Sequence, residues 1–187
     1  MKAKVFRFVI TGLTALTMTF ALVSMFMIFC PWNKVEYGIA TVNYPAIDWI
    51  ARWPAQLTKD MVGGKVYNLI FILFTYIFLL VNFIVCIPMC IQGAKGAKLG
   101  FGRNIFLAIW NIVIIIFVCV GTIIVTIPAS GSYSWSQILD MNKQVKMGTG
   151  ATWILVGAII SLICNIALVV FIILRRKAEA GAEKKAD

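Results

Sequence analysis

Long uncharged stretches alternate with short charged ones along this chain. The uncharged runs cover residues 8–33, 66–94, 104–139 and 147–174. Each exceeds the roughly 20 apolar residues that cross a bilayer core of about 30 Å. The pattern predicts an all-α membrane protein, a four-transmembrane-helix bundle with short interfacial helices in the external loops. The expected spans are 7–30, 66–91, 104–127 and 148–174, joined by an external loop 31–65, a cytoplasmic loop 92–103 and a second external loop 128–147. A frayed cytoplasmic tail, 175–187, follows. Residues 1–187 therefore form a single membrane domain.

Helix breakers sharpen these limits. Pro31 stops the first span and Pro128 the third, while Pro88 is expected to kink the last turn of the second. In the first external loop, Pro45 and Pro54 bracket a short helix holding Ile47, Trp49, Ile50 and Trp53, with Asp48 and Arg52 paired at i,i+4. That helix suits either the membrane surface or a partner. Ser134 and Gln137 form a capping box for a second short helix containing Trp135, Ile138 and Leu139.

Composition agrees with the pattern. Hydrophobic residues make up 61% of the chain and charged ones 13%, against about 25% charged in an average protein. Charge also sets the expected orientation. Eleven basic residues, including Lys2, Lys4, Arg7, Lys95, Lys98, Arg103, Arg175 and Arg176, fall on the side of the termini, against six on the other. The positive-inside rule puts both termini in the cytoplasm, with the plasma membrane favoured over an organelle. The first apolar stretch is too long for a signal-peptide core and no small-residue cleavage site follows it, so it is expected to be retained. Only Cys30 lies near the outer surface, which leaves an external disulfide without a second partner in the chain.

Candidate chemistry is sparse. The chain has no histidine, and its seven carboxylates are scattered through loops and tail. General acid–base work, haem ligation and zinc ligation lose their commonest residue, and the spans offer no ionisable group for a proton relay. No catalytic, cofactor-binding or metal residues are assigned, and bound lipids are the only ligands expected. The loop 92–103 holds four glycines and three basic residues without a Gly-Lys-Ser/Thr phosphate loop, so it suits anionic headgroups; nucleic acid is not an expected partner. Cys86 and Cys90, at the cytoplasmic end of the second span, are either ordinary buried thiols or sites of reversible S-palmitoylation.

Three groups of residues invite a structural role. Asn82, Asn111 and Asn165 lie on three different spans, about 10–14 Å in from the cytoplasmic end at ~1.5 Å per residue, with Thr17 of the first span at similar depth. Unpaired amides are costly in hydrocarbon, so this layer should face inward as interhelical glue or, alternatively, line a pore or pocket. Small residues form two seams, Thr14, Thr17, Ala21 and Ser24 on the first span and Gly150, Gly157, Ser161 and Asn165 on the fourth. Such seams let helices approach closely, either within the chain or across a dimer face. Trp49, Trp53 and Trp135 sit in external loops too short to bury them fully and are expected, with Trp32, to be interface residues.

Four spans, internal termini and a longer first than second external loop resemble the claudin-like tetraspan superfamily, which includes claudins, peripheral myelin proteins, fungal eisosome tetraspans and amastins. Gly148-Thr149-Gly150-Ala151-Thr152-Trp153 is similar to the glycine- and aromatic-rich entry to the fourth helix of that group, and Trp32 and Trp53 lie roughly where claudins keep two loop tryptophans. The claudin Gly-Leu-Trp segment and paired loop cysteines are absent. Only the architecture and general role are carried over, not the external β-sheet. The resemblance implies a non-enzymatic structural, organising or cell-contact component that associates laterally with itself or with other integral membrane proteins. An accessory subunit of a larger channel or energy-transducing complex is the alternative, and a pore or transporter is the third reading.

Overall fold

The computed structural model describes every residue except 1, 38–39, 52–65, 97–99, 124–133, 135, 138–142, 144 and 184–187. Four helices dominate it: α1 (Lys2–Phe26), α3 (Val66–Lys95), α4 (Phe101–Ile123) and α5 (Thr149–Glu183), with a short α2 (Ala46–Ala51) between the first two. All four long helices contain segments long and apolar enough to cross a bilayer, Val5–Phe29, Leu69–Lys95, Phe101–Thr122 and Thr149–Lys177. The chain is an integral multi-pass membrane protein with an all-α transmembrane bundle. In that bundle α1 packs against α3 and α5, and α4 against α3 and α5. Each helix thus has two antiparallel neighbours, the up-down-up-down arrangement that sequential connections favour.

The helices are apolar all round, as lipid on one side and packing on the other require. What distinguishes the faces is size and polarity. On α3 the lipid side carries Ile70, Phe74, Ile77, Ile84, Ile87 and Ile91, while the buried side carries Leu69, Ile72, Thr75, Leu79, Asn82, Cys86 and Met89. The expected limits shift at several points. α3 runs through Pro88 to Lys95, where Gly96 adopts a positive φ of 71° and donates to Gly93 O, a glycine C-cap. α5 continues to Glu183, so the segment expected to fray after 174 is helical for most of its length. Lys2 rather than Arg7 begins α1, which ends in a 3-10 turn, Met27–Phe29.

The loop between the first two spans departs most from expectation. It contains a hairpin of β1 (Pro31–Tyr37) and β2 (Ala40–Pro45), and β3 (Val145–Met147) joins from the far end of the chain. The order is β2-β1-β3, antiparallel throughout, with Val35 opposite both Val42 and Val145. A register shift between Pro31 and Asn33 marks where β1 leaves the bundle. The short helix expected after Pro45 is present as α2, seated on α3 and on the end of α1. Of the helix expected at Ser134, residues 136–137 are helical and its capping box is reciprocal: Ser134 N donates to Gln137 Oε1 at 2.9 Å and Gln137 N to Ser134 Oγ at 3.4 Å.

Candidate functional site: the bundle interior and the anchored sheet

Two features concentrate the unusual side chains, a buried interior and the junction between bundle and sheet. In the interior, Asn82 Nδ2 donates to Asn111 Oδ1 at 3.0 Å, joining α3 to α4, and Asn111 Nδ2 donates to Leu107 O at 2.8 Å. The Cys86 thiol lies 4.0 Å from Asn82 Oδ1. Thr17 donates to Leu13 O at 3.1 Å and also engages the Cys164 thiol of α5. Asn165 is fully buried, and neither end of its amide meets a protein partner. All three asparagines therefore turn away from lipid, but only two of them bond each other.

The two small-residue seams meet each other inside the chain. Thr14, Thr17, Ala21 and Ser24 of α1 are buried, as are Gly150, Gly157 and Ser161 of α5. A Cβ on Gly157 would stand 2.8 Å from Ser24 Oγ, and one on Gly150 2.9 Å from Cys30 O. These residues are consumed in the α1–α5 contact, which removes the dimer-face reading of the seams.

At the junction, the chain leaving α1 is clamped against the start of α5. Gly148 N donates to Trp32 O at 2.8 Å, and a Cβ on Gly148 would fall 2.1 Å from Pro31 O. Trp32 is completely buried over the sheet-side end of the bundle, its ring 6.3 Å from Tyr76 and its Nε1 donating to Gly121 O at 3.4 Å. Asn33 Nδ2 donates to Thr122 O at 3.4 Å. Trp49 is buried as well, against Tyr44 at 6.0 Å. Trp32 and Trp49 are therefore core residues of the cap and not exposed interface residues; the sheet, which the sequence reading did not contain, buries them. Trp53 and Trp135 lie outside the described residues. Among the described residues, the exposed aromatics near this end are instead Phe26, Phe29 and Trp153, at the level where an aromatic belt would meet the headgroups.

The cysteines separate in the same way. Cys86 is fully buried, which withdraws it as an acylation site in this fold, whereas Cys90 is half-buried. Burial of Thr75, Asn104, Thr122 and Asn33 was not foreseen. Asn104 lies seven residues before Asn111 and Thr75 seven before Asn82, so the heptad step was the available signal. No group of three or more potential metal ligands occurs among the described residues. No family matches the chain, and neither a characterised protein nor a solved structure is significantly similar to it.

Proposed function

We propose that this chain is a non-enzymatic tetraspan that acts by lateral association in the membrane, as an organising or cell-contact component, with its termini in the cytoplasm and its sheet outside. One observation carries the reading. A three-stranded sheet is fastened to the bundle through Trp32, Asn33 and Gly148, and it places β2 at an edge with Thr41, Val42 and Asn43 exposed. Edge strands pair readily with another chain, so rigid mounting of a free edge suits recognition better than chemistry. The sheet also adds to the layout shared with claudin-like tetraspans. The basic-residue excess on the side of the termini supports the orientation, and the plasma membrane is the membrane in which a cell-contact role makes sense.

The test is native mass spectrometry after mild extraction, paired with Val42→Cys cross-linking in intact membranes. The reading expects particles larger than one copy and a cross-linked band that depends on Val42→Cys. A strictly monomeric particle with no cross-link would overturn it. A cross-link to the outside reagent from residue 183 rather than 42 would reverse the orientation.

A further inference from the structure

The apolar core of the bundle is divided. Toward the sheet, Leu79, Ile114 and Ala158 belong to one buried cluster; toward the termini, Cys86, Leu107 and Leu168 belong to another. Between these residues on α3, α4 and α5 lie Asn82, Asn111 and Asn165, and α1 supplies Thr17, which reaches Cys164 next to Asn165. The four polar side chains are at most 1% exposed. A polar belt thus crosses the whole bundle, bracketed by apolar residues on α3 and α4 and extended by one turn through buried Thr14 on α1 and Ser161 on α5.

Within that belt the hydrogen bonding is uneven. Asn82 Nδ2 is spent on Asn111, Asn111 Nδ2 on Leu107 O, and the Thr17 hydroxyl hydrogen on Leu13 O. Asn165, with two donors and two acceptor lone pairs, has no protein partner for Nδ2 or Oδ1. Burying such a group unsatisfied is among the more costly things a membrane interior can do. Whatever satisfies it must both accept and donate. Acceptor capacity remains at the same level of the bundle, since Thr17 Oγ1 and the oxygens of Asn82 and Asn111 each keep a lone pair. A cation or anion would find no charged residue in the belt to balance it. An apolar molecule would leave the amide as it is.

We propose that Asn165 binds ordered water inside the bundle, enclosed between the two apolar clusters and bridging α5 to the polar groups of the neighbouring helices. Buried waters of this kind typically make about three hydrogen bonds to otherwise unpartnered groups. The site is a closed one and not a conduit: the fully buried Ile114 and Leu107 flank it on α4, and Leu168 lies below it on α5. It is independent of the association reading above.

Solid-state NMR of the full chain tests this, in bilayers of acyl-deuterated lipid with asparagine side chains labelled with nitrogen-15 and sequentially assigned. Magnetisation from water should reach the Asn165 side-chain amide as it reaches that of Asn43, which is exposed on β2. After transfer to deuterated water, the Asn165 amide should exchange at least 100-fold more slowly than Asn43. Absence of water transfer to Asn165 would overturn the proposal, as would a high-resolution structure placing its Nδ2 directly on a protein acceptor. Exchange as fast as that of Asn43 would overturn the enclosure and point to an open aqueous path.

Discussion

Two helix interfaces in this bundle hold together by opposite means. Between α1 and α5 the contact toward the sheet rests on small residues and backbone: Ser24 faces Gly157, and just past α1 the backbone oxygens of Cys30 and Met27 face Gly150, while one ring pair, Phe6 with Phe171 at 6.0 Å, lies toward the termini. Between α3 and α4 it is made of rings. Phe78 meets Trp110 at 4.7 Å and Phe117 at 5.2 Å, Phe71 meets Phe117 at 5.4 Å, and Trp110 Nε1 donates to Phe78 O at 3.1 Å. Lipid is as apolar as leucine, so neither interface can rely on a hydrophobic driving force between helices. The first gains close van der Waals contact between backbones; the second gains ring area and edge-to-face geometry. The difference is one of tolerance. Backbone cannot yield to an added atom, whereas a ring that shrinks leaves space that lipid or a neighbouring side chain can fill.

The largest effect should come where backbone meets backbone most closely, at the junction of β1 with the start of α5, just beyond the first interface. Gly148→Ala adds one methyl group, which would lie 2.1 Å from Pro31 O and 2.8 Å from Trp32 C. Both are backbone atoms held by the sheet. We expect a loss of about 3 kcal/mol, at the upper end for overpacking, read as a lowered unfolding midpoint in detergent and release of Trp32 fluorescence from its buried environment. Wild-type stability would break the comparison at its strongest point.

Gly157→Leu comes next, at about 2 kcal/mol. Here the obstacle is Ser24 Oγ, a side-chain tip, so Gly157→Ala should be much milder than Gly148→Ala. Combining Gly157→Ala with Ser24→Ala should recover most of that smaller loss. Additive single effects in the double-mutant cycle would mean that the two helices do not meet at this point.

Truncation on the second interface is expected to be gentler still. Phe78→Ala removes a half-buried ring but leaves its carbonyl to accept from Trp110. The expected loss is about 1.5 kcal/mol, roughly that of its aromatic pairing, against the 3–5 kcal/mol of a fully buried ring. A thermal melt showing a larger deficit than that of Gly157→Leu would reverse the ranking of the two interfaces.

The same contrast explains what could be read in the chain. Four spans were legible because hydrophobic length alone decides them. The inward face of each helix was legible only where a polar or small residue betrayed it. Asn82, Asn111, Thr17 and Gly157 are conspicuous because lipid would reject or waste them, whereas Ile72 and Leu107 look like any lipid-facing residue. The sheet was missed for a different reason. Its β1–β2 hairpin is local, but β3 has three residues and its pairing with β1 joins residues more than 100 positions apart, Asn33 with Met147 among them. No local pattern announces the β1–β3 pairing. Trp32 and Trp49 were consequently read as exposed, since only the unforeseen cap buries them.

The Asn82–Asn111 bond spans α3 and α4, the ring-rich interface, and offers the smallest and most discriminating test. Interhelical hydrogen bonds in membranes average about 0.6 kcal/mol, because an asparagine on a separated helix also finds partners. The pair should nevertheless be non-additive in a definite direction. Asn82→Leu leaves Asn111 Oδ1 without its donor, and Asn111→Leu leaves Asn82 Nδ2 without its acceptor. Each single variant therefore carries the cost of an orphaned buried group, of about 1 kcal/mol or somewhat more. Asn82→Leu with Asn111→Leu removes both orphans and packs leucine against leucine between the two apolar clusters. The double variant should thus be at least as stable as either single one, and the α3–α4 contact should survive on its rings. Equilibrium unfolding of the four proteins measures this. Two singles without effect would show that the bond contributes nothing. A double variant that loses the full sum of the singles would show that each amide has other partners, and that the polar belt holds the ring-rich pair together more firmly than the rings do.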